Sequence, residues 1–118
     1  MTIRAFYDSV GGSYDDVMGR LSSEALVLKF LRMLPRDGNM ALLDAAMDSA
    51  DAPSAFRAAH TLKGVALNLG LTSLANACSE LTEALRAAAT LPVSAPALYT
   101  AVRREYDRVL TALAQLGG

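Results

Sequence analysis

Apolar residues recur at spacings of three and four along nearly the whole chain, and the strict alternation of a half-buried strand is nowhere sustained. Ile3, Phe6, Tyr7 and Val10 keep helical spacing until Gly11-Gly12 breaks it, which predicts a short N-terminal helix. Ser13 then suits the cap of a second short turn, with Asp15 and Asp16 near its positive end and Val17, Met18 and Leu21 facing inward. From a cap at Ser22 or Ser23, the run to Leu34 places Leu26, Phe30 and Met33 or Leu34 on its inner side. Pro35-Arg36-Asp37-Gly38 interrupts that run, and Asn39 restarts it with Met40, Leu43, Met47 and Ala50 as the stripe.

Asp51-Ala52-Pro53 opens the next helix, with Asp51 as cap and Pro53 in the first turn, where its missing N–H costs nothing. Ala55, Ala58, Ala59, Leu62, Val65, Ala66 and Leu69 share one face of it, and Gly70 fits a left-handed stop. The short connection that follows reverses the chain. Leu71, Leu74, Cys78, Leu81, Leu85 and Ala88 then form a narrow seam, with Thr72, Asn76, Glu80 and Glu83 outward. After Leu91-Pro92, a helix capped by Ser94 carries Leu98, Val102, Tyr106, Val109, Leu113 and Leu116. The fold predicted is all-α, an antiparallel four-helix bundle of the interrupted segment 22–50 and the helices near 52–69, 71–88 and 95–116. Loops of about two to eight residues make neighbours antiparallel, and the N-terminal helix lies across one end.

Composition narrows the functional classes. A length of 118 residues with 53% hydrophobic content predicts one domain, residues 1–118, with a real core. Eleven basic against twelve acidic residues, a net charge of −1 and no basic cluster argue against nucleic-acid binding. No apolar run approaches the roughly 18 residues of a membrane span, and Arg4 and Asp8 stand where a signal peptide needs an apolar stretch. A cytoplasmic protein with no membrane partner is expected. The one cysteine, Cys78, lies on an apolar face and reads as a small buried hydrophobe. The five methionines read as core filling, so no metal is expected from them.

The chemistry centres on the chain's one histidine. His60 points away from the apolar face of its helix, on an outward stripe with Phe56, Lys63, Gly64 and Leu67. Lys63, at i+3, can reach a group carried on the imidazole. Gly64 costs about 1 kcal/mol relative to Ala inside a helix, so the missing side chain serves either a close-approaching partner or tight helix packing. Apolar Phe56 and Leu67 on the outward stripe favour a partner. An imidazole is largely neutral at pH 7 and needs no base to act as a nucleophile when exposed. No Ser-His-Asp or Cys-His arrangement, inward carboxylate set or phosphate-cradling glycine loop accompanies it. No cofactor is expected, and enzymatic hydrolysis and ATP binding are poor readings.

H-T-L-K-G from His60 to Gly64, followed by N-L-G from Asn68 to Gly70, resembles the signature of histidine phosphotransfer (HPt) domains of two-component phosphorelays. The similarity extends to Gly11-Gly12, Arg20-Leu21, Phe30-Leu31, the A-F-R-A-A lead-in, Leu74, Cys78 and Ser79-Glu80-Leu81, and so spans nearly the whole chain. The resemblance implies a phosphoryl carrier, not an enzyme. His60 is phosphorylated; the partners are the aspartate of a response-regulator receiver domain, which brings the Mg²⁺, and a histidine kinase or hybrid kinase. Lys63 offsets the added charge, and Phe56, Gly64 and Leu67 form the receiver docking surface. Family members often place a Gln or another polar residue on the following helix to orient the histidine ring; the matching position here is Thr82, with a shorter hydroxyl. Val65 stands where many members have Ser or Ala. Nothing resembles a kinase core or linker, which favours a free-standing carrier. The competing expectation is a helical adaptor or dimerisation module that uses the same stripe without phosphorylation.

Overall fold

A computed structural model describes residues 1–116; the last two glycines, part of the expected domain, lie outside the described residues. Seven α-helices follow one another, and no strand occurs among the described residues: α1 (Ile3–Ser9), α2 (Tyr14–Leu21), α3 (Glu24–Met33), α4 (Asn39–Asp48), α5 (Ala52–Asn68), α6 (Thr72–Leu85) and α7 (Ala95–Leu116). A 3-10 turn, Leu34–Arg36, joins α3 to α4.

Capping chemistry sets most of the boundaries. Ser13, Ser23 and Asp51 each accept a bond from the backbone N–H three residues on, which satisfies a donor that the first helical turn leaves open. Of the two candidate caps before α3, Ser23 serves; Ser22 instead ends α2 in the left-handed conformation. Asp37 precedes α4 and accepts from the Asn39 N–H at 2.9 Å. Ser94 meets α7 through its carbonyl, which accepts from the Leu98 N–H.

The bundle is built from the α3–α4 segment, α5, α6 and α7. α5 packs between α4 and α6, and α6 packs against α7. Leu43, Leu62, Leu71, Leu74, Leu81, Leu85, Val102 and Val109 are buried between them, each stabilising the fold by roughly 1.5–3 kcal/mol. The seam of α6 is buried as its spacing predicts; Ala88, beyond the helix end, is half-buried.

Two stripes differ from expectation. In α3 the buried residues are Val27 and Leu31, continued by Leu34, while Leu26 (41% exposed), Phe30 (38%) and Met33 (53%) face outward. Both sets keep helical spacing, and tertiary packing buries only one of them. In α4 the fourth inward residue is Ala46, since Ala50 lies past the helix end at φ 55° and is exposed.

α1 and α2 close the end of the bundle at the α5–α6 turn. The buried Tyr7 hydroxyl donates to the Leu69 carbonyl at 2.6 Å, and the Ser13 N–H donates to the Gly70 carbonyl at 2.9 Å. Burial holds the Tyr7 phenol far above its usual pKa, so it remains a donor. From the other side, Arg108 Nη2 donates to the Val10 carbonyl at 3.0 Å.

Candidate functional site

The face of α5 turned to the bundle is mostly alanine. Ala55, Ala58, Ala59, Leu62, Ala66 and Leu69 are buried, with Val65 half-buried at the edge. Such short side chains let neighbouring helices approach closely on the inner side, and the opposite stripe is left uncovered. On that stripe His60, Gly64 and Leu67 are exposed, the last at 47%, and Phe56 and Lys63 are half-buried.

Two ends hold the helix in this orientation. At the start, Asp51 accepts from both the N–H and the hydroxyl of Ser54. At the finish, Gly70 adopts φ 69°, its N–H donates to the Leu67 carbonyl, and the Leu71 N–H donates to the Ala66 carbonyl. That pair of bonds is the Schellman arrangement.

Around His60 the structure brings together groups from α5 and the end of α6. The imidazole stacks on the Phe56 ring, with centroids 5.9 Å apart and planes 6° from parallel. Arg86 places its guanidinium carbon 5.4 Å from the Phe56 centroid and donates twice to the Glu83 carboxylate, at 2.9 and 3.2 Å. The bonds from Arg86, more than any other influence, hold the Glu83 carboxyl below its usual pKa, and the charge of Lys63 acts in the same sense. Lys63 therefore lies within electrostatic reach of Glu83, and a second cation stands beside the histidine stripe.

Thr82 is not on that stripe. It is fully buried, and its hydroxyl donates to the Cys78 carbonyl at 2.7 Å, so its proton is committed to its own helix and it makes no hydrogen bond to the imidazole. Among the described residues no protein group hydrogen-bonds to the imidazole, and the residue as a whole is exposed.

Gly64 has open space in place of a side chain: a Cβ built there meets no heavy atom within 4 Å. Tight helix packing is thus not the reason for this glycine.

A groove of about 550 Å³ opens farther along α5, lined by Val65, Asn68 and Leu69 together with Leu21, Phe30, Met33 and Leu34, and by the charged Arg20, Arg36 and Asp37. Sequence reasoning missed this surface, having turned Phe30, with Met33 or Leu34, inward. It also missed Arg86, which lies just past the end of α6 and outside any periodic pattern. The apolar character of both sides of α3 was the available signal for the first; nothing in the spacing marks the second.

Among the described residues no group of three or more His, Cys, Asp or Glu side chains is placed to hold a metal, and no helix is long and apolar enough to cross a membrane. Cys78 is buried and its thiol is pushed up to about 12 by desolvation, which leaves it protonated and unreactive near neutrality. The site thus offers an exposed imidazole on a partly apolar stripe, with Lys63 one turn on along the helix and Arg86 over the neighbouring Phe56 ring. The sequence model of the Hpt domain matches residues 25–116, from α3 to the end of α7. No curated protein and no solved structure matches the chain.

Proposed function

This chain belongs to the Hpt domain family, which serves phosphotransfer in two-component signalling, and from that premise we propose that it carries a phosphoryl group on His60 to and from the aspartates of response-regulator receiver domains. The observation that carries the reading is the exposed His60, without a protein hydrogen-bond partner among the described residues, on a helix within the matched span. In the step itself, the lone pair of a neutral ring nitrogen forms the N–P bond while the acyl O–P bond of the receiver's aspartyl phosphate breaks and the carboxylate leaves. The receiver supplies the Mg²⁺ and most of the catalytic groups, and this protein is substrate and carrier. Transfer in the reverse direction uses the same geometry. A histidine kinase or hybrid kinase is the ultimate source of the phosphoryl group, and the setting is the cytoplasm, with the carrier acting as one domain.

Lys63, one turn from His60, compensates part of the roughly −2 charge that arrives on phosphorylation. Gly64 and Leu67, with Phe56, give the receiver an apolar and unobstructed approach, and the outward residues of α3 extend that surface. Incubation with a panel of receiver domains, each charged by acetyl phosphate, tests the reading. At least one receiver should lose its label to the wild-type protein and keep it in the presence of His60→Gln. Binding that is equally tight for both proteins, without transfer to either, would instead favour the non-phosphorylated adaptor, for which the exposed Leu26, Phe30, Met33 and Leu67 are the supporting observation.

A further inference from the structure

The ring of a phosphoryl-accepting histidine must be held at a fixed angle, because attack on phosphorus requires the nitrogen lone pair in line with the breaking bond. In this protein the residue placed to do so by hydrogen bonding, Thr82, has its hydroxyl proton on Cys78 and lies in the core. The group that the structure sets against the imidazole is aromatic. Phe56 lies one helical turn before His60, and the two rings are parallel to within 6° at a centroid distance of 5.9 Å, an offset stack. Phe56 is itself covered by the Arg86 guanidinium, 5.4 Å from its centroid, and Arg86 is braced by two bonds to Glu83.

We propose that Phe56 is the positioning residue of this carrier: its ring holds the His60 imidazole by stacking, and the Glu83–Arg86 pair clamps Phe56 in place from α6. Stacking restricts rotation about the Cβ–Cγ bond and occupies neither ring nitrogen. The nucleophile is therefore oriented while both nitrogens stay open, which a hydrogen bond to one of them would not allow. The clamp also ties a side chain of α5 to the end of α6, so the ring angle is set by the bundle and not by α5 alone. This inference rests on the phosphotransfer reading for its consequence, but the stack itself is observable without any phosphoryl donor.

The experiment has two arms. In the first, the carbon-bound imidazole protons of the one histidine are followed by NMR in the unphosphorylated protein. The Phe56 ring current should displace them from free-imidazole values; Phe56→Leu should abolish the displacement, Arg86→Ala should reduce it, and Phe56→Tyr should preserve it. In the second, transfer from an acetyl-phosphate-charged receiver is measured against receiver concentration. Phe56→Leu, which keeps an apolar side chain for docking, should lower the maximal rate by about tenfold and change the half-saturating concentration by less than about twofold. Phe56→Tyr should restore the rate. Free-imidazole shifts in the wild type, or a Phe56→Leu variant with full maximal rate and weakened half-saturation, would overturn the proposal, the latter by reducing Phe56 to a docking contact. If no receiver transfers to the wild type while the NMR displacement is present, the phosphotransfer reading fails and positioning of a nucleophile fails with it, leaving only a structural stack.

Discussion

Gly64 and Gly70 lie six residues apart on one helix and its stop, and their environments are opposite. At Gly64 an added methyl group meets open space in a helical backbone. Gly64→Ala should therefore stabilise the protein by about 0.5–1 kcal/mol, read from thermal or urea melts. Gly64→Gln should also keep the fold while weakening receiver binding, because on the proposed function its bulk would stand in the receiver's approach. Lys63 is half-buried beside the same stripe, with Glu83 in electrostatic reach. Lys63→Ala should alter stability by less than about 0.5 kcal/mol yet shorten the lifetime of the phosphorylated protein, followed as loss of label with time. Unchanged lifetime together with a large loss of helicity would assign Lys63 a structural role.

At the scale of elements, the ends of α5 decide where His60 points. Gly70 has φ 69°, and a Cβ there would lie 2.8 Å from the Ser13 carbonyl oxygen and 3.1 Å from Val17 Cβ. Gly70→Ala adds left-handed strain to a clash with the backbone that anchors α2, and should cost about 2 kcal/mol or more in a denaturant melt. The opposite end is pH-sensitive. The hydroxyl and N–H of Ser54 hold the Asp51 carboxyl below its ordinary 3.8. A folded value below the unfolded one means that the contribution is present above pH about 4 and lost as the pH falls through the folded value. The melting temperature of the wild type should therefore fall more steeply on acidification than that of Asp51→Asn. These ends were readable in the sequence, because Asp51, Pro53 and Gly70 act through local backbone chemistry. The facing of α3 was not: in E-A-L-V-L-K-F-L-R-M both Leu26/Phe30/Met33 and Val27/Leu31/Leu34 have helical spacing, and only tertiary packing chooses between them. Thr82 was legible as a position on α6 but not as a donor to Cys78, since that choice is made by burial.

For the molecule as a whole, the division of labour is between a closed core and one uncovered helix face. Leucines of α4 to α7 fill the bundle, α1 and α2 seal the end at Gly70, and the alanine-rich side of α5 faces inward so that His60, Gly64 and Leu67 face out. The leucine core and the outward His60 stripe were accessible from periodicity and the H-T-L-K-G motif, whereas the sealing of the Gly70 end by α1 and α2 and the Phe56–Arg86–Glu83 array depend on tertiary contacts and required the structure. If, as proposed, the bundle presents a single phosphoryl acceptor, the decisive measurement is to locate and characterise the phosphoryl bond after transfer from a charged receiver. One phosphoryl group per chain is expected, mapped to His60, lost in acid and retained in base as a phosphoramidate is. A label that survives acid, or that remains after His60→Gln, would contradict it.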